Sequence, residues 1–362
     1  MAKFVSTRDA SVEADGSTAV IRRVSGDGEI LVPELPTVGY ADLCEKGYAE
    51  RAEVILGAFF GLKADCEKAY SQFDDDPTTV VKLDDNLFIA ELWHGATRTA
   101  ADIAQCVLPE FIGLAGGNNC EVTTCGKSDL ITIAALTVCY YSAYCDLVNN
   151  GEIKGGDLID FVLPAGRLEY LMSGWYARRM GLPINRLVCA CDTDGALYDF
   201  IDTGVFDTSL DGEKPNAALA ENIERFIYDI GGGNAALTRE RMKELDDTGR
   251  FSLTPDEIEN VRDIIAADCV DGETAEEAIF DLFDEYGYVA DKQTASAYAV
   301  AAEREFVRPT VVLSTADPFL SAPEVMRALG EKGGPLDDLL DRMEELTAME
   351  CHESIRIRNS EL

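Results

Sequence analysis

Glu91-Leu92-Trp93-His94-Gly95-Ala96-Thr97-Arg98-Thr99-Ala100-Ala101-Asp102 is the stretch on which the reading of this chain turns. It leaves a short apolar run, Leu87-Phe88-Ile89-Ala90-Glu91-Leu92, that has the length and composition of a buried strand. Further along, Leu158-Ile159-Asp160-Phe161-Val162-Leu163 is a second apolar run, bounded by Pro164. A helix is predicted from Leu168 to Met180, stopped by Gly181 with Pro183 beyond it. Arg186-Leu187-Val188-Cys189-Ala190-Cys191 then reads as the next strand. Strand, helix and strand at this spacing predict a parallel pair joined by a right-handed crossover. Thr310-Val311-Val312-Leu313-Ser314-Thr315 is a further buried strand with a polar end.

The rest of the pattern is mostly helical. A short strand at Ile30-Leu31-Val32-Pro33 precedes helices around 40–50, 51–61 and 62–74, and a Gly/Asn loop covers 113–120. Thr254-Pro255-Asp256-Glu257 is a capping box whose helix carries Ile258, Val261, Ile264 and Ile265 as its stripe. Thr274-Ala275-Glu276-Glu277 reads as a second box, with Gly287 ending that helix. Leu336, Leu339, Leu340, Met343 and Leu346 mark an amphipathic helix near the C-terminus. There are no repeats. The expected fold is α/β, a parallel-rich sheet with helices on both faces.

The chain has 362 residues with 31 Lys plus Arg against 67 Asp plus Glu, a formal charge of −36. That balance argues against nucleic acid and anionic membrane as partners. No apolar run is expected to approach the roughly 20 residues of a membrane span. The first residues lack the apolar core of a signal peptide, so the expected location is the cytoplasm. Eleven cysteines are scattered without a Cys-x-x-Cys pair, which signals no zinc or thioredoxin site. They are read as reduced, packed thiols; Cys189 and Cys191 fall on one face of a strand, and core packing is the preferred account.

The motifs together resemble the threonine synthases, pyridoxal-phosphate enzymes of fold type II. The family reads approximately E-L-x-H-G-P-T-x-A-F-K-D where this chain has 91–102. Phe4-Val5-Ser6-Thr7-Arg8 is similar to its opening, and Val81-Lys82-Leu83-Asp84-Asp85-Asn86-Leu87 precedes the His94-Gly95 motif as in the family. Gly174-Trp175-Tyr176-Ala177-Arg178-Arg179-Met180-Gly181-Leu182-Pro183-Ile184 resembles its G-x-Y-A-K-K-M-G-L-P-I, and Thr203-Gly204-Val205-Phe206-Asp207 its T-G-V-Y-D. The resemblance implies a large domain like that of tryptophan synthase β. It divides the chain into an N-terminal region, 1–80, and a cofactor-enzyme-like domain, 81–362.

The departures from the family fall where chemistry is expected. Ala101 stands where the family has its Schiff-base lysine, and an alanine can neither form an aldimine nor move a proton. The family's phosphate loop, P-T-G-N-F-G-D, is Pro164-Ala165-Gly166-Arg167-Leu168-Glu169-Tyr170 here. A glutamate beside a phosphate dianion is repulsive, although Glu169 also suits the positive end of its helix and Arg167 offers a replacement cation. The family's small domain, which grips the substrate phosphate, is expected to be deleted around 112–124. Its S-P-S-M-D segment is reduced to Lys214-Pro215-Asn216-Ala217-Ala218.

Ser314, Thr315, His94, Thr97 and Gly166 match cofactor-binding positions of the family, as vestiges. Arg98, Asp102, Lys127, Asp129, Arg167 and Glu169 are the polar groups expected in a remodelled cleft. Lys127 sits between Gly126 and Ser128 in a loop and reads as solvated; a P-loop there lacks its upstream glycine, since Glu121 holds that position. There are two histidines: His352 is expected at the surface, and a triad on His94 has no local support. No metal site and no bound cofactor are expected. The leading expectation is a pseudoenzyme that binds a small molecule or a protein, a second copy included. Cofactor-independent catalysis in the remodelled cleft is the first alternative. The second is threonine synthase activity on O-phosphohomoserine, which would need another lysine.

Overall fold

A computed structural model of the chain describes residues 2–21, 30–73, 76–116, 130–165, 168–192, 196–208, 217–304 and 306–360. Its centre is a six-stranded sheet. In chain order its strands are β1 (Thr79–Asp84), β2 (Leu87–Glu91), β3 (Ile159–Pro164), β4 (Ile184–Asp192), β5 (Ile265–Val270) and β6 (Thr310–Ser314). Across the sheet the order is β5-β4-β3-β6-β2-β1, and every pair is parallel except the hairpin of β1 with β2. The near-continuous apolar runs of the strands follow from burial on both faces. Two smaller antiparallel sheets lie outside it, one formed by Lys3–Ser6, Glu13–Asp15 and Leu31–Pro33, the other by Val205–Asp207 and Arg250–Ser252.

Four helices place the site: α1 (Ala101–Leu114), α2 (Leu130–Asn149), α3 (Glu169–Arg179) and α4 (Lys292–Ala302). Helix α2 is 20 residues long and apolar, which corrects the expectation that no run approaches a membrane span. Of its most apolar window 89% is buried inside the fold, so its hydrophobicity is that of a central core helix. Tyr140, Tyr141 and Tyr144 on it are fully buried. Their hydroxyls donate to backbone carbonyls of Tyr170 (2.7 Å), Val38 (3.1 Å) and Asp157 (3.1 Å), so the large rings pack without orphaned polar atoms. Gly174 lets α3 approach the sheet: a Cβ there would lie 2.7 Å from Leu187 and 2.8 Å from Tyr140.

Three expectations need correction. The division at residue 80 falls inside β1, and Phe4, Phe59 and Phe60 share one core with α2 and the sheet. The helix with the Thr254–Glu257 capping box stops at Arg262, and Ile265 opens β5, an edge strand that the apolar stripe concealed. The helix assigned to a box at Thr274 runs Gly272–Tyr286, capped instead by the Asp271 side chain on the Thr274 amide.

The loop after β2 is stitched to the end of β6. The Leu92 amide donates to the Ser314 carbonyl (2.9 Å), the Ala100 amide to the Thr315 carbonyl (2.9 Å), and the Asp317 amide to the Arg98 carbonyl (3.0 Å). Within the loop, Asp102 Oδ2 accepts the Thr97 amide at 2.8 Å, and a Cβ on Gly95 would collide with Asp102 at 2.4 Å. Arg98 takes a left-handed backbone, φ 59°. Its Nε donates to Asp317 Oδ2 at 2.8 Å, and its guanidinium lies 4.8 Å from the centre of the Trp93 ring. Arg98→Ala would leave the Asp317 carboxylate, 2% exposed, without its cation. Such a loss costs about 3 kcal/mol or more. Urea unfolding should show that drop, and adding Asp317→Asn should recover part of it.

Candidate functional site

In open parallel sheets, ligands sit outside the carboxyl ends of the strands, where strand order reverses. Here β2, β6 and β3 end together, and a cleft of about 230 Å³ opens above them. Thr99, Ala101 and Gln105 line it from α1 and the residue pair before it. Thr132 and Leu136 come from α2, Glu169 and Tyr170 from α3, Gln293 from α4, and Thr315 and Ala316 from the end of β6. The first turns of four helices therefore converge on it.

Ala101 is the first residue of α1, exposed at the mouth of this cleft. Glu169 lies in the first turn of α3 and is 3% exposed. Its carboxyl is placed where the helix dipole favours negative charge. Burial first, and then Glu169 beside it, holds the Tyr170 hydroxyl far above its ordinary range. Thr315 Oγ1 lies 3.4 Å from Gln293 Oε1 on the opposite wall. Among the described lining residues there is no lysine or arginine.

The sequence-expected site residues divide into three groups. Thr315 and Glu169 do line the cleft, together with Ala101. Arg98, Asp102, Thr97, His94 and Ser314 do not. Arg98 and Asp102 are corrections, because both are spent on the loop contacts above. Thr97 is exposed and its Oγ1 is 2.9 Å from Thr99 Oγ1. Gly166, Arg167, Lys127 and Asp129 lie outside the described residues, as does most of the proposed deletion at 112–124. His352 is half-buried rather than exposed, its Nδ1 2.8 Å from Ser354 Oγ.

His94 and Ser314 belong to a buried polar network behind the cleft. His94 Nε2 is 3.0 Å from Glu91 Oε2, and the Tyr288 hydroxyl donates to Glu91 Oε1 at 2.9 Å. Trp93 Nε1 donates to Ser314 Oγ at 2.9 Å, and the Thr294 hydroxyl stands 3.1 Å from the same oxygen. Asp291 caps α4, accepting the Gln293 amide at 3.0 Å and the Thr294 amide at 3.3 Å. Sequence reasoning missed the cleft residues Gln105, Thr132, Tyr170 and Gln293. Gln105 was findable, four residues after Ala101 on one helix face. Thr132 and Gln293 arrive from distant helices and leave no local signal.

The described residues that line this cleft do not fit pyridoxal phosphate; positions 166 and 167 of the family's phosphate loop lie outside the described residues. The described lining residues supply no amine for an aldimine and no cation for a phosphate, and the one charged side chain among them is Glu169.

Burial also raises the carboxyl of Asp291 above its ordinary value, opposed by the hydrogen bonds from Thr294 and Gln293. A raised folded value means that the folded state holds the proton more tightly than the unfolded chain. Ionised Asp291 therefore costs stability at neutral pH, and that cost is relieved as pH falls toward and below its folded value. Asp291→Asn keeps an acceptor for the cap without the charge. Urea unfolding from pH 7 to pH 4 should show the wild type gaining stability relative to this variant as pH falls.

No family model matches the chain. Human threonine synthase-like 1 is 30% identical over 200 residues, which cover 53% of this chain and 27% of that protein. Threonine synthase of Methylobacillus glycogenes is 30% identical over 259 residues, 69% of this chain and 53% of that enzyme. The chain thus spans about a quarter of the first and half of the second. Threonine synthase of Corynebacterium glutamicum is 27% identical over 443 residues, 91% of each chain. Set against 362 residues here, that alignment leaves at least 81 positions with no counterpart. The crystal structure of threonine synthase from Brucella melitensis, with pyridoxal phosphate bound, superposes with a TM-score of 0.80 at 21% identity, covering 96% of this chain and 99% of that one. By sequence the chain is similar to the threonine synthases, and it shares their fold-type II architecture.

Proposed function

We propose that this chain is a threonine synthase-like pseudoenzyme, which binds a small polar molecule in its cleft and carries out no pyridoxal-phosphate chemistry. The carrying observation is Ala101. It occupies the family's lysine position at the mouth of the cleft, and no other described lining residue has an amine. Gln105, Gln293, Thr99, Thr132 and Thr315 offer amide and hydroxyl groups, which recognise a neutral or zwitterionic ligand by hydrogen bonding. The buried carboxyl of Glu169 disfavours a phosphorylated one.

The long alignment with the Corynebacterium enzyme supports a loss of sequence relative to the family. We place that loss between α1 and α2, where the family carries its small domain. Loss of that domain would remove the family's means of closing over a reacting substrate, which favours binding over catalysis.

Restoring the amine tests whether more than the lysine has gone. Ala101→Lys should remain unable to hold the cofactor. After incubation with pyridoxal phosphate and borohydride, label should be spread over surface lysines with no excess at position 101. Stoichiometric label at that position would contradict the reading, because it would mean that the cofactor site is intact apart from one side chain.

A further inference from the structure

We propose that a groove at the opposite, amino-terminal edge of the sheet binds a small polyanion, gripped by Arg186 and Arg308 with Arg304 beside them. The groove encloses about 360 Å³. Its floor is set by strand register. Thr310 of β6 pairs with Asp160 of β3, and Asp160 pairs with Arg186 of β4. Residues paired across parallel strands project from one face, with strands about 4.8 Å apart, so these three form a row. Arg304 follows the end of α4, and the segment Phe306-Val307-Arg308 walls the other side before β6 begins.

The charge of this groove departs from that of the molecule. Carboxylates outnumber cationic side chains by 67 to 31 in the chain, yet here three guanidiniums face one carboxylate, Asp160. That carboxylate is already engaged: its Oδ1 accepts Asn185 Nδ2 at 2.6 Å and the Arg186 amide at 3.0 Å. Arg304 is bonded to Asp268, with Nε 3.0 Å from Oδ2, and lies just past the negative end of α4. Among the described residues no carboxylate stands within ion-pair range of Arg186 or Arg308. Two exposed guanidiniums that line one groove with no carboxylate partner leave a local positive charge that a bound anion would neutralise. The planar fork of a guanidinium matches two adjacent anionic oxygens.

The overall charge of −36 opposes anions at long range. At physiological salt that repulsion is screened beyond about 8 Å, whereas contacts inside the groove are not. Thr310 in the groove and Thr315 in the cleft stand at the two ends of β6, separated by roughly 16 Å of strand. The groove is therefore a site separate from the cleft, and its ligand is a phosphate- or polycarboxylate-bearing small molecule.

Calorimetric titration of the full chain with pyrophosphate and with citrate, at fixed ionic strength, tests this and distinguishes the two chemistries. Saturable one-to-one binding of at least one of them is expected, weakening as salt is raised. Arg186→Gln with Arg308→Gln should weaken it about tenfold or more. Both side chains are exposed, so the melting temperature without ligand should not move. The single reversal Arg308→Glu should abolish binding and provides the same answer if the double variant does not fold. Absence of saturable heat for both anions up to about 10 mM, or equal binding by the variants, would overturn the proposal.

Discussion

The backbone seam between the loop after β2 and the end of β6 is the constraint on which the site depends. Three amide-to-carbonyl bonds tie Leu92, Ala100 and Arg98 to the segment Ser314 to Asp317. They fix where α1 begins, and so where Ala101 meets the cleft. The seam needs no lysine and no cofactor. Gly95 makes room for Asp102, Asp102 holds Thr97, and Arg98 closes the loop on Asp317 and Trp93. The His-Gly-x-Thr motif can therefore be retained in this chain for the loop's own packing, independently of the chemistry it flanks in the related enzymes.

The cleft keeps the place of a binding site and changes its electrostatics. Helix N-termini favour anions. Here that preference is met by a side chain of the protein itself, Glu169 in the first turn of α3. Behind the cleft, the network from His94 through Glu91 and Tyr288, and from Trp93 through Ser314 to Thr294, satisfies buried polar groups against each other. Such a network is costly to leave half-made, which gives a structural reason for its residues to be kept whether or not the cleft is catalytic.

Much of the fold was legible in the sequence because strands β2, β3, β4 and β6 are short apolar runs with clear stops. Gly181 and Pro183 bounded α3, and Thr254 with Glu257 announced a helix start. Strand β5 was not legible, because Ile264 and Ile265 continue the spacing of the preceding helix. At the site, the alanine at 101 could be read only against the family motif; composition and periodicity are silent about it. Arg98 and Asp102 looked like cleft residues because they flank Ala101 in sequence. Loop geometry turns both away, and sequence adjacency carries no information on that. Gln293 and Thr132 were invisible for the converse reason: they are near Ala101 in space and far from it in the chain.

The central proposal is that this chain does not carry the cofactor of the enzymes it resembles. Absorbance titration of the purified, unaltered protein with pyridoxal phosphate, followed by borohydride trapping and peptide mapping, tests it most directly. The account predicts no saturable aldimine band and no lysine labelled in preference to the others. A saturable band trapped on a single lysine would contradict it and would identify the residue that has taken over from the one missing at position 101.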